Sequence, residues 1–191
     1  WQGWCPTHML SSNVTGATLG LIGFGRIAQA MARKAHHGFD MNILYYKPSE
    51  ADEYVVDDLQ ATRCASIEEL LEKSDFVSLH CPGNAETHHL INAERLALMQ
   101  PTAHLINTAR GDVVDTQALI SALENQHIAG AGLDVYEGEP NVPDALLALE
   151  NVALLPHLGS ATLSTRTAMG EKALLNLEAY FSGQPLPNQI I

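Results

Sequence analysis

Basic residues are scarce in this chain of 191 residues: 10 lysines and arginines stand against 22 acids, a formal net charge of −12. A surface of that sign repels phosphate backbones, so no nucleic-acid partner is expected. Cysteine is scarcer still. Cys5, Cys64 and Cys81 are odd in number, far apart and in no C-x-x-C pair, which argues for reduced thiols and a cytoplasmic location. No apolar run approaches the length of a membrane span, and no basic-then-apolar segment opens the chain, so neither a membrane protein nor a secreted one is expected. The first residue is Trp1 rather than methionine, which points to upstream sequence that has been removed or was never captured. Internal repeats and low-complexity tracts are also missing. What remains is an ordinary globular composition, 46% hydrophobic, long enough for one domain with a full core.

The chain is organised around Thr18 to Gln29, TLGLIGFGRIAQ. Leu19, Leu21 and Ile22 read as a buried parallel strand, Gly23, Phe24 and Gly25 as a tight turn, and Arg26 onward as a helix. The spacing Gly23-x-Gly25-x-x-Ala28 fits the dinucleotide fingerprint, in which each small residue has its own task. Gly23 turns the chain, Gly25 admits a pyrophosphate close to the backbone, and Ala28 lets helix and strand pack closely. The first helical N–H groups, with Arg26 and Ile27, would then meet the two phosphates. A P-loop is excluded: Gly20 and Gly25 have its spacing, but Arg26 and Ile27 stand where its lysine and hydroxyl belong.

Residues 1–16 read as a connecting segment and 17–191 as a doubly wound α/β domain, a parallel sheet with helices on both faces. A first helix is expected to about His37, with Ile27, Ala30, Met31 and Lys34 at helical spacing and Gly38 as its stop. The second strand is Asn42 to Tyr46. Its end should carry an acid for the adenosine ribose, about 20 residues past the glycines, but Lys47 stands there. A cation suits a 2′-phosphate, so NADP is favoured and NAD is the alternative, with Glu50 or Asp52 as ribose ligands in that case. Further on, Ser66 to Glu69 is a capping box opening a helix to Lys73, Phe76 to His80 is a strand, and Asn92 caps a helix to Met99. Strands follow at His104 to Asn107, Ile128 to Val135 and Val152 to Leu155. Asp115 caps a helix through Asn125, and a long helix runs from Thr162 to Ser182, ending at Gly183.

In such a sheet ligands sit beyond the carboxyl ends of the strands. Those ends bring Arg110, Asp134, Glu139 and His157, with Arg110, Glu139 and His157 expected on one rim. Arg110 offers a permanently charged planar fork for a carboxylate. His157 can give a proton at neutral pH, and a carboxylate such as Glu139 beside it would favour the protonated ring and orient it. Pro140 restricts the backbone of Glu139 to extended conformations. Asp134 reads as a partner for a carboxamide, or equally as a turn or cap residue. The pairs His36–His37 and His88–His89 lack i, i+4 metal spacing and are expected to be solvated, and no metal is expected.

With the runs GLIGFGRIA, LHCPGNAETHHLIN, LINTARGDVVD, AGLDVYEGEP and LLPHLGSAT, the chain resembles the nucleotide-binding domain of the D-isomer-specific 2-hydroxyacid dehydrogenase family, on the side of its glyoxylate and hydroxypyruvate reductases. The resemblance runs from Thr15 to the end. It implies that Arg110 binds the substrate carboxylate and carbonyl, that His157 is the acid/base and that Glu139 is its partner. Cys81, Pro82 and Thr108 would line the cofactor cleft, Asp134 would face the carboxamide, and Gly159 and Ser160 would pass near the nicotinamide. The implied reaction is reduction of a small 2-oxo acid to the D-2-hydroxy acid, in a protein that is a homodimer at full length. The family's separate substrate domain has no counterpart here, so the isolated chain is expected to be inactive. Lys47 departs from the family's usual acid. A second reading within the resemblance is a co-repressor-like module that senses the dinucleotide without turnover, and a third is a purely structural domain.

Overall fold

A computed structural model describes residues 3–8 and 10–189. The outermost parts of the connecting segment and of the tail lie outside those residues. Seven parallel strands form one sheet: β1 (Thr18–Ile22), β2 (Asn42–Tyr46), β3 (Thr62–Arg63), β4 (Phe76–Leu79), β5 (His104–Asn107), β6 (Gly130–Leu133) and β7 (Val152–Leu154). Their spatial order is β3-β2-β1-β4-β5-β6-β7, so the order reverses between β1 and β4. The helices are α1 (Arg26–Phe39), α2 (Glu53–Asp58), α3 (Ile67–Lys73), α4 (Ala93–Leu96), α5 (Thr116–Glu124), α6 (Asp144–Leu147) and α7 (Leu163–Phe181), with a 3-10 turn at Gly111–Val113. This is the doubly wound α/β architecture expected from the alternation of strand and helix patterns.

The period of two along each strand divides the core. Leu19, Leu21, Ile43 and Tyr45 pack with Ala28, Ala32 and Ala35 of α1 on one face. Ile22, Val77, Leu79 and Leu105 pack with Leu70, Leu71, Leu119 and Leu123 of α3 and α5 on the other. Among the described residues no helix is long and apolar enough to cross a membrane. All three cysteines are free, and burial raises the thiol pKa of both Cys64 and Cys81.

Several expectations needed correction. The buried stripe of α1 is Ala28, Ala32 and Ala35, whereas Ile27 is 75% exposed. The small alanines face the sheet, and the larger Ile27 and Met31 turn outward. Gly38 does not stop α1. Asp40 does, in the left-handed region at φ 51°, its N–H reaching back to the carbonyls of Ala35 and His36. The helix capped by Asn92 ends at Leu96, not Met99, because Leu98 and Met99 donate to residues three back and tighten the chain out of α geometry. β6 spans only Gly130–Leu133, although the flanking Ile128 and Val135 are buried as expected. The capping box is half built: Ser66 Oγ accepts from Glu69 N at 3.1 Å, but Glu69 reaches back to Ala65 N rather than to Ser66.

The described chain divides into two compact units, one ending at Pro156 and one starting at His157. The second holds α7, capped by Thr162 Oγ1. Asn188 folds back onto it, its N–H donating to Asn176 Oδ1 at 3.2 Å while Asn176 Nδ2 donates to Asn188 Oδ1 at 3.1 Å. No residue of α7 is buried, and Leu163, Leu174, Tyr180 and Phe181 are all exposed.

Candidate active site

The glycine turn lies at the reversal of strand order, where doubly wound sheets open a crevice. Gly23 adopts φ 89°, and a Cβ there would come within 2.8 Å of the His80 carbonyl. The turn is therefore pressed against the chain leaving β4 at His80–Cys81. Phe24 anchors it from the other side, stacked at 4.1 Å on Tyr45 of β2. Gly25 caps α1 with no side-chain hydrogen bond, and a Cβ there would meet nothing within 4 Å. Open space in front of bare helix-start N–H groups is the cradle that a pyrophosphate needs. Arg26 and Ile27 are exposed beside it, and Ala28 is fully buried. These residues fit a dinucleotide.

Lys47 follows β2 directly, half-buried at its loop, and its ammonium forms no ion pair among the described residues. The loop is braced by Arg63 of β3, whose Nη2 donates to the carbonyls of Lys47 and Pro48 at 3.1 and 3.2 Å. Asp52 spends Oδ1 on capping α2, accepting from Tyr54 N at 3.0 Å. No feature of the sequence flagged Arg63. Its role emerges only because the short β3 pairs with β2, placing Arg63 opposite Tyr45.

Past β5, the buried Asn107 organises the segment leading to Arg110. Its Oδ1 accepts from Ala109 N at 3.0 Å and its Nδ2 donates to the Arg110 carbonyl at 2.9 Å. Asn107 was read only as a strand end. A polar residue closing an apolar strand was the available signal, since a buried amide must find partners. Thr108 and Arg110 are exposed, and Arg110 Nη1 donates to the Ala109 carbonyl at 2.6 Å.

The next segment is brought to Arg110 by backbone alone. A Cβ on Gly111 would overlap the Tyr136 carbonyl and the Glu137 N, so the two chains touch where no side chain fits. Gly83 plays a similar part on the other side: a Cβ there would lie 2.9 Å from Arg110 Cγ. Cys81, Pro82, Arg110 and Glu139 thus come from three segments that pack around Gly83 and Gly111. Glu139 Oε1 accepts from Tyr136 N at 3.0 Å, and the Glu139–Pro140 peptide is cis. Asp134 is buried just beyond β6, its N–H donating to the Asn107 carbonyl at 3.0 Å.

Burial holds the His80 imidazole below its ordinary pKa, and its Nε2 pairs with Ser78 Oγ at 3.0 Å. Burial pushes the Cys81 thiol up, which makes it a neutral wall and not a nucleophile. His157, Gly159 and Ser160 belong to the second unit. His157 is exposed and takes the left-handed backbone at φ 53°. A concavity of about 560 Å³ lies elsewhere: Ala129 and Asn151 in its wall precede β6 and β7, at the amino ends of the strands.

One expectation failed here. His89 is not simply solvated: its Nε2 pairs with Glu137 Oε1 at 3.1 Å, and its ring stacks on His88 with centroids 4.0 Å apart.

Comparison with known proteins follows the same outline. The chain is 48% identical over 191 residues to a glyoxylate reductase of Thermococcus litoralis, covering 98% of this chain and 56% of that protein. It spans about half the length of the curated relatives it matches. Among solved structures, a protein from Thermus thermophilus superposes with a TM-score of 0.91 at 44% identity, over 100% of this chain and 59% of that one. An NADPH-dependent glyoxylate/hydroxypyruvate reductase of Sinorhizobium meliloti gives 0.80 at 42% identity, over 87% and 51%. The family model for the D-isomer specific 2-hydroxyacid dehydrogenase NAD binding domain matches residues 1–159. Strand order, glycine turn and family model agree, and the chain belongs to the NAD-binding domain family of the D-isomer specific 2-hydroxyacid dehydrogenases.

Proposed function

We propose that this chain is the cofactor-binding part of an NAD(P)H-dependent reductase of small 2-oxo acids, with glyoxylate the first candidate substrate and hydroxypyruvate the second. The observation that carries the proposal is the open, uncapped start of α1 at Gly25, set at the β1/β4 reversal beside the Cys81–Arg110 wall. Relatives named glyoxylate reductase, at 48% identity, supply the substrate class. Nothing in those relatives supports the binding-module reading.

When bound, a reduced nicotinamide supplies the hydride. The chain's own residues do the rest. Helix-start N–H groups and Arg26 hold the pyrophosphate, and Cys81, Pro82 and Thr108 line the cleft. Asp134 faces the carboxamide, and Gly159 and Ser160 pass near the ring. Arg110 clamps the substrate carboxylate and polarises the adjacent carbonyl. By its motif, His157 gives a proton to the forming alkoxide oxygen, and Glu139 is its motif partner. The roles of Arg110, Glu139 and His157 come from their motifs. Because the relatives are nearly twice as long, turnover needs a substrate domain that these residues do not supply. An active site with one wall does not exclude water. The exposed apolar residues of α7 support a partner surface there, in keeping with a homodimer, and three free cysteines suit the cytoplasm.

NADPH is the favoured cofactor, because Lys47 offers a cation with no ion pair among the described residues, on a loop braced by Arg63. Fluorescence titration of the 191-residue chain with NADPH and NADH tests this. Lys47→Asp should weaken NADPH binding by about tenfold or more, the loss of one charge-assisted contact, and leave NADH equal or better. An unchanged preference would defeat the cofactor assignment. Full-rate glyoxylate reduction by the 191-residue chain would defeat the requirement for a further domain.

A further inference from the structure

We propose that His88, His89 and Glu137 form a binding site for a divalent transition-metal ion of the zinc class, clamping the segment after β4 to the segment after β6. One ligand atom from each of the three residues lies within 4.8 Å of the other two. Donor atoms on a tetrahedral zinc ion lie about 3.4 Å apart at bond lengths of about 2.1 Å, so the stacked His88 and His89 rings turn from their stack to close the site. Two imidazoles and one carboxylate are a borderline donor set, suited to zinc and its neighbours and poor for magnesium or calcium.

The surroundings are built for it. His89 takes the left-handed backbone at φ 49°, fixed by its N–H to the Asp112 carbonyl at 2.8 Å. A non-glycine residue held there needs a reason. Thr116 Oγ1 donates to Glu137 Oε2 at 3.0 Å, orienting the carboxylate with Oε1 toward His89. Asp115 Oδ2 lies 4.0 Å from His89 Nδ1, the face opposite the one turned to Glu137. At that distance Asp115 is a nearby charge and makes no hydrogen bond to the ring. The ion replaces the direct His89–Glu137 contact and recruits His88, an exposed ring that otherwise only stacks on His89. The remaining position is left to water, and the site is structural, outside the proposed hydride-transfer machinery.

The experiment is zinc titration of the full chain after chelator treatment, by calorimetry and by the visible spectrum of the cobalt(II) form. Wild type should take up one ion with micromolar affinity and gain thermal stability as zinc is added. His88→Ala, at an exposed ring, and Glu137→Gln, which keeps the Thr116 hydrogen bond, should each weaken uptake at least tenfold and abolish the thermal gain. Cys5→Ser and the double variant His36→Ala/His37→Ala should leave both unchanged. Absence of one-to-one uptake overturns the proposal, as does uptake that survives His88→Ala and Glu137→Gln. Uptake lost instead in the Cys5 or His36/His37 variants assigns the ion elsewhere and also overturns it.

Discussion

Substituting the two glycines of the first turn by alanine should separate folding from cofactor binding. At Gly23 the added Cβ faces the carbonyl of His80 at 2.8 Å and the N of Cys81 at 2.9 Å, both rigid backbone, with φ at 89°. The left-handed conformation costs about 1–2 kcal/mol for an L side chain. Forcing a methyl into packed backbone adds about 1–3 kcal/mol, so Gly23→Ala should lose about 2–5 kcal/mol. At Gly25 the Cβ meets open space, and the backbone, φ −82° and ψ −173°, is open to any residue. Alanine is a poorer helix cap than glycine but restricts the unfolded chain, and these roughly cancel to within about 1 kcal/mol. The methyl would, however, stand where the pyrophosphate approaches. Gly25→Ala should therefore unfold in urea close to wild type yet lose NADPH binding by at least tenfold in a fluorescence titration. Wild-type affinity in Gly25→Ala would place the phosphates elsewhere, and wild-type stability in Gly23→Ala would refute the turn geometry.

Two further outcomes follow from buried polar groups. Asn107→Ala leaves the Ala109 N–H and the Arg110 carbonyl without their partner, which should cost about 1–3 kcal/mol in urea unfolding and speed amide exchange at Ala109, while a wild-type exchange rate would show that Asn107 is not the brace. His80 is held neutral by burial, so the unfolded chain binds its proton more readily; the stability this contributes is full above about pH 6.5 and is lost as pH falls toward and through the lowered folded value. His80→Asn should flatten the fall in melting temperature between pH 7 and 5, and an unaltered slope would assign that fall to other groups.

The strands and their caps were legible because each has a local cause. β1, β2 and β5 begin and end where apolar runs and polar caps say, and Ser66, Asn92 and Asp115 all accept the expected N–H groups. The short α2, β3 and α6 were not read, since two to six residues carry too little periodicity to register. On α1 the fingerprint singled out Ala28 as the close-packing residue, but the spacing Ile27, Ala30, Met31 and Lys34 does not follow the buried face, which Ala32 and Ala35 complete. Gly23, Gly25 and Arg110 were legible as candidate site residues from motif and strand end. Arg63, Asn107 and the His88–His89–Glu137 group were not. The partners of Arg63 and of the histidine–glutamate group lie up to 49 positions away, in contacts that only the sheet order brings about, whereas those of Asn107 are local and were signalled only by a polar residue closing an apolar strand.

The contact at Gly111 has a consequence for how this part of the molecule can vary. Because Gly111 meets the Tyr136–Glu137 peptide backbone to backbone, no side chain is available there to absorb a shift by changing rotamer. An inserted residue near Glu139 would push directly on the peptide next to Arg110. Any redesign of either segment must therefore treat 110–111 and 136–139 as one rigid part, exchanged together or left alone.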